Sequence, residues 1–117
     1  MGGNKMSRYI PDRWVIVKIV SPVHGTCYKI LASWYGGFTG SDSWKLSSGN
    51  IGATLEDGVY TFPQFSTSIY KCYKNSYGTS GYTASVYNSW LKRLTPDLGT
   101  MEILPEDFDI TQVFTNE

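Results

Sequence analysis

Histidine and cysteine are nearly absent, with one His and two Cys in 117 residues. A structural zinc site takes four Cys or His ligands, and the chain holds three, so a zinc-built domain is excluded. Two cysteines, Cys27 and Cys72, are too few for a disulfide-stapled secreted scaffold. Both fall in apolar, Tyr-flanked runs and read as small buried hydrophobes with reduced thiols, as in a cytosol. A bridge between them stays open if their strands are neighbours. No apolar run approaches the ~18 residues of a membrane helix. The start, MGGNKMSRYIPDR, has no apolar stretch of the export-leader kind. Acids are scarce over residues 1–94, where only Asp12, Asp42, Glu56 and Asp57 occur. That leaves little material for carboxylate-pair catalysis. No Gly-x-Ser-x-Gly elbow, phosphate-cradling loop or dinucleotide glycine pattern occurs. The lone His24 sits in Pro-Val-His-Gly, where a turn residue facing solvent is the simpler reading than a partner for Cys27. Glu106-Asp107-x-Asp109 lacks the glycine and closing glutamate of a helical calcium loop. The residues therefore point away from an enzyme, a metal site and any cofactor.

Aromatics, by contrast, make up 15% of the chain, with nine Tyr, five Phe and four Trp beside twelve Gly. This favours strands and turns. The densest stretch is Ser33–Asn50, SWYGGFTGSDSWKLSSGN. It reads as two strand ends, at Trp34 and Trp44, joined by a Gly-rich loop that carries Phe38. The simplest assignment puts these rings in a core. The alternative makes Trp34, Phe38 or Trp44 an exposed platform for a base or a sugar.

In chain order, residues 1–12 are polar and expected to be loose. Arg13–Val20, RWVIVKIV, is the strongest strand, with Val15, Val17 and Ile19 on one face and Trp14, Ile16 and Val20 on the other. Two apolar faces predict a central strand covered on both sides. Thr26–Tyr35 pairs back as a hairpin. Ser43–Leu46, Ile51–Glu56, Val59–Phe62 and Ser66–Tyr73 follow, with Asp57-Gly58 as a tight-turn signal. The first 73 residues thus read as an antiparallel meander. The period then changes. Tyr82, Val86, Tyr87, Trp90, Leu91 and Leu94 form a helical stripe. Thr83 is the expected N-cap, Lys92-Arg93 complement the helix dipole, and Pro96 ends the helix. Met101–Leu104 is expected to return as a last strand.

Charge is balanced in total but not along the chain. Residues 1–94 carry all ten basic residues against four acids, and residues 95–117 carry six acids and no base. The tail from 105 to 117 keeps Phe108, Ile110, Val113 and Phe114. It is expected to dock, on its own body or on a partner.

The segments GSDSWKLSSGN and SIYKCYKNSYG, with SWYGG upstream, resemble small marine-phage proteins that have no assigned activity. The likeness spans roughly Val15–Leu91, and its motifs are aromatic and structural rather than catalytic. It implies a viral or environmental microbial setting and a host cytosol.

The fold expected is a single α+β domain over 1–117. Its core is an antiparallel, strongly twisted or partly closed sheet of five to seven strands with one helix at about 82–94. The function expected is a non-enzymatic protein-binding or self-associating module, with a protein partner or a homo-oligomer and no membrane. A second reading is a single-stranded nucleic-acid domain using Lys71, Tyr73, Lys74 and Tyr77, where cations meet phosphates and rings meet bases. A third is a carbohydrate-binding module using Trp34, Phe38 or Trp44.

Overall fold

The computed structural model describes residues 7–36 and 41–113. Eight strands and one helix follow in the order β1 (Arg8–Tyr9), β2 (Arg13–Ser21), β3 (Gly25–Trp34), β4 (Ser43–Leu46), β5 (Thr54–Glu56), β6 (Val59–Pro63), β7 (Ile69–Tyr73), α1 (Gly81–Arg93) and β8 (Thr100–Ile103). The α+β class stands. The expected single sheet is instead two sheets of four strands, ordered β1-β7-β6-β5 and β4-β3-β2-β8. All pairings are antiparallel except β1 with β7.

The split comes from the corner between β4 and β5. Ser47 still bonds to β3, its backbone N–H to the Ile30 carbonyl (2.9 Å) and its hydroxyl accepting from the Ile30 N–H (2.8 Å). By Ile51 the chain has crossed over, and its N–H bonds to the Pro63 carbonyl (2.9 Å). The corner is buried and polar. Gln64 accepts from the Gly49 N–H (3.0 Å) and donates to Asn50 Oδ1 (2.6 Å) and to the Phe62 carbonyl (3.0 Å). Gly, Ser and Asn in SSGN allow a strand to change sheets, and Gln64 answers the backbone groups freed by the change.

The two sheets enclose an aromatic core. Trp14, Ile16, Tyr28, Ile30 and Ala32 come from one sheet, and Tyr60, Phe62, Tyr70 and Cys72 from the other. Trp14 lies at its centre, with ring centroids 5.6 Å from Tyr60, 5.6 Å from Phe62 and 4.7 Å from Tyr77. Its indole N–H donates to the Tyr73 carbonyl (2.8 Å). The other face of β2 and β3, with Val15, Val17 and Leu31, is covered by Tyr87 and Trp90 of α1. The β2 strand is therefore buried on both faces, as its unbroken apolar run predicts.

Two local features differ from expectation. Residues 8 and 9, expected to be loose, form β1 because Tyr9 stacks on Tyr70 (4.9 Å) and the Ile69 N–H reaches the Ser7 carbonyl (2.8 Å). Two residues are too short for periodicity to detect. The helix is capped at Ser80, not Thr83. Ser80 accepts from the Thr83 N–H (3.1 Å), and Thr83 Oγ1 accepts from the Ser80 N–H (2.9 Å), a reciprocal capping pair. The Asp57-Gly58 turn is as expected. Its φ values of 53° and 76° match the two-residue hairpin turn that suits the twist of the flanking strands.

The tail folds back along its own body as far as it is described. Phe108 packs on Trp14 (6.2 Å), Tyr60 (5.4 Å) and Tyr77 (5.5 Å), and Val113 is fully buried. Phe114 and residues 1–6 lie outside the described residues. Among the described residues no helix is long and apolar enough to cross a membrane.

Tyr77 joins the layers. Its hydroxyl accepts from the Ile16 N–H (3.1 Å) and donates to the Leu104 carbonyl (2.7 Å). Replacing Tyr77 by Phe strands both backbone groups in a buried setting, so urea denaturation should show a loss of about 1–3 kcal/mol. Ser80→Ala should cost about 1 kcal/mol through the lost cap. A Tyr77→Phe variant as stable as the parent would show that the phenol bridge is dispensable.

Candidate binding surface

The sheet β1-β7-β6-β5 has one face in the core and one face uncovered. Tyr60, Phe62, Tyr70 and Cys72 point inward, so the alternate residues point out. The registers place Glu56, Val59 and Tyr73 in one row across the strands, and Thr54, Thr61 and Lys71 in the next. Pro63 and Ile69 form a third row, with Arg8 beside Ile69. A shallow concavity of about 340 Å³ lies on this face, lined by Ile10, Thr54, Val59, Thr61, Lys71 and Tyr73 together with Glu56 and Asp57. Tyr73 is half exposed and Ile10 slightly more. Positive charge (Arg8, Lys71) lies on the β1–β7 side and negative charge (Glu56, Asp57) at the β5–β6 turn.

Lys71 and Tyr73 therefore share a face, as the alternation of IYKCY predicts. Their expected companions do not join them. Lys74 sits in a short 3-10 turn after β7, on a separate depression of about 500 Å³ shared with Tyr60, Glu106, Asp107 and Phe108. Tyr77 is turned into the core, and burial pushes its pKa up to about 12, with Glu106 and Tyr60 adding to the rise and the Ile16 hydrogen bond opposing it. It is not part of any exposed stacking surface.

The aromatic platform residues are also dispersed. Trp34 donates its indole N–H to the Ile10 carbonyl (2.9 Å) and meets Tyr9 edge-on at 6.2 Å. Trp44 lies against Trp90 of α1, centroids 5.4 Å apart at 71°. It serves the helix–sheet contact and keeps about a third of its surface exposed, at 36%. Phe38 lies outside the described residues.

His24 is exposed at the β2–β3 turn. Cys72 is in the core, where burial pushes its thiol up and keeps it protonated. Both cysteines are free thiols, on different sheets. Among the described residues no group of three His, Cys, Asp or Glu side chains could hold a metal ion.

Thr54, Val59, Thr61 and Ile10 were not singled out as surface residues from sequence. The signal was present in VYTFP, whose alternation fixes Val59 and Thr61 on one face. What sequence lacks is the knowledge that nothing covers that face. Comparisons with protein-family models, curated proteins and solved structures returned no match.

Buried tyrosines set an alkaline limit on the fold. Burial raises Tyr60, Tyr70 and Tyr87 as well as Tyr77. Each holds its proton in the folded chain after the unfolded chain has lost it. Stability should therefore be full below about pH 10 and should fall as pH rises towards about 12, the folded value of Tyr77. Denaturation midpoints measured from pH 8 upwards check this, and a flat profile to pH 12 would contradict it.

Proposed function

We propose that this chain is a non-enzymatic, self-associating β-rich module that docks on a second copy through the uncovered face of β1-β7-β6-β5. The observation that carries the reading is the division of that face. Apolar Ile10, Val59, Pro63, Ile69 and Tyr73 lie among Arg8 and Lys71 on one side and Glu56 and Asp57 on the other. A two-fold contact brings each patch against its symmetry mate. Such a contact sets Arg8 and Lys71 of one copy against Glu56 and Asp57 of the other, around an apolar centre. The charges cancel within the pair, so a second copy is accepted without burying unbalanced charge.

The contact is small. Strands ~4.8 Å apart and up to five residues long give a footprint of roughly 300 Å². That is well below the ~800 Å² per partner of a standard stable interface. Association is therefore weak and concentration-dependent. The nucleic-acid and carbohydrate readings draw less support. The outer face carries balanced charge rather than a basic stripe, and Tyr77, Trp34 and Trp44 are engaged in packing.

Sedimentation equilibrium from about 10 μM to about 1 mM covers the range expected of a weak contact. It should give a monomer–dimer equilibrium that Tyr73→Ala weakens and Lys71→Glu abolishes. Combining Lys71→Glu with Glu56→Lys should restore it. A monomer at every concentration, or a dimer indifferent to all three variants, would overturn the reading.

A further inference from the structure

A different region, on the open seam between the edge strands β1 and β4, is built from hydrogen-bond donors. A cavity of about 450 Å³ there is lined by Lys29, Lys45, Ser47, Ser48, Ser66 and Ser68. Tyr9 and Tyr70 form the rest of its wall with Leu46. No carboxylate lines it, and among the described residues neither lysine is in an ion pair. The Lys45 ammonium sits over the Tyr9 ring, 5.3 Å from its centroid. That contact orients the charge at the rim without neutralising it.

The serines form a directed chain. Ser48 Oγ accepts from the Ser66 N–H (3.0 Å), so its own proton goes to Ser66 Oγ (2.9 Å). Ser66 in turn donates to Ser68 Oγ (3.2 Å). Among the described residues nothing accepts the Ser68 proton. Ser47 repeats the pattern: its oxygen accepts from the Ile30 N–H (2.8 Å), and its proton is unused. Tyr70 is 1% exposed, and among the described residues its buried hydroxyl has no hydrogen-bond partner. An unmet buried hydroxyl is costly and uncommon in a folded chain. Two lysines and three residues with unused hydroxyl protons therefore line one cavity, whose wall carries no carboxylate.

That imbalance selects the ligand class. A neutral polyol brings as many donors as acceptors and leaves the cations unanswered. A tetrahedral oxyanion brings only charge and acceptor oxygens. The cavity volume lies in the range of about 300–1,000 Å³ typical of small-molecule sites and leaves room beyond one anion. We propose that the β1–β4 seam is a binding site for a small phosphate monoester, with Lys29, Lys45, Ser47 and Ser68 holding the phosphate. Charge-assisted hydrogen bonds of this kind are the strong ones. The site is independent of the self-association face, whose residues it does not share.

The test is isothermal titration of the full chain with glycerol 1-phosphate, inorganic phosphate and glycerol, in low-salt buffer. The ester should bind more tightly than inorganic phosphate, and glycerol should give no heat. Lys45→Gln and Lys29→Gln should each weaken binding by about tenfold, the loss of one charge-assisted contact. Ser68→Ala should weaken it by a smaller factor. Lys74→Gln, which removes an exposed charge elsewhere, should leave it unchanged. Lys29 and Lys45 lie outside the core, and circular dichroism confirms that each variant is folded. Three results would overturn the proposal. One is the absence of heat with both phosphates. Another is an equal loss in Lys74→Gln, which would mean diffuse attraction. The third is binding of inorganic phosphate with no gain from the ester, which would mean a bare-anion site.

Discussion

The fold depends on one phenol. The β2 strand is paired with β8 from Val17 to Val20, and beyond that point the two strands separate. The Leu104 N–H still reaches the Ile16 carbonyl (2.9 Å), but the Ile16 N–H and the Leu104 carbonyl have no strand partner. The Tyr77 hydroxyl enters the gap and serves both. A hydroxyl is suited to this because it accepts and donates at one atom. The same ring packs edge-on to Trp14 and against Phe108. One side chain thus links the central strand, the last strand and the tail that follows it. The segment Tyr73–Gly78 is held to the same place by the Trp14 indole and by the Gly78 N–H on the Trp14 carbonyl (2.8 Å). The entry to α1 is set from there, two residues before its Ser80 cap.

Polar side chains elsewhere do similar work where the ladder is interrupted. Gln64 and Asn50 allow the chain to leave one sheet and start the other without abandoning buried backbone groups. Glycine is required where Gly99 leads into β8. Its φ is 123°, and a Cβ there would lie 2.0 Å from the Val20 carbonyl oxygen. These positions explain why a chain so rich in small polar residues can still order its backbone around an aromatic core. Packing supplies the stabilisation, and the polar residues remove the penalties that would offset it.

Two of the surfaces left once the core is assembled differ in chemistry. The outer face of β1-β7-β6-β5 is mixed apolar and charge-balanced. The β1–β4 seam is lined by lysines and serines and by no carboxylate.

Much of this architecture is legible in the residues. Val15, Val17 and Leu31 against Trp14, Ile16 and Ile30 give both faces of the β2–β3 hairpin, because side chains alternate strictly along a strand. The stripe from Tyr82 to Trp90 gives the helix, and Asp57-Gly58 gives the β5–β6 turn, since few residues accept positive φ. Lys71 and Tyr73 share a face for the same reason of alternation. Tyr77 was not legible, because an aromatic after a strand reads equally as an exposed ring or a buried one. Only the approach of β2, β8 and the tail decides which. The division into two sheets was hidden too, since SSGN marks a turn without saying which strand the chain meets next. Ser66 and Ser68 face Ser48 and Lys45 only because that crossover folds one sheet over the other. Sequence alone determined the longer strands, their faces and the helix, because these follow from local periodicity. Tertiary structure decided which faces meet, which tyrosines are buried and where unpaired donors converge, because those depend on contacts between residues far apart in the chain.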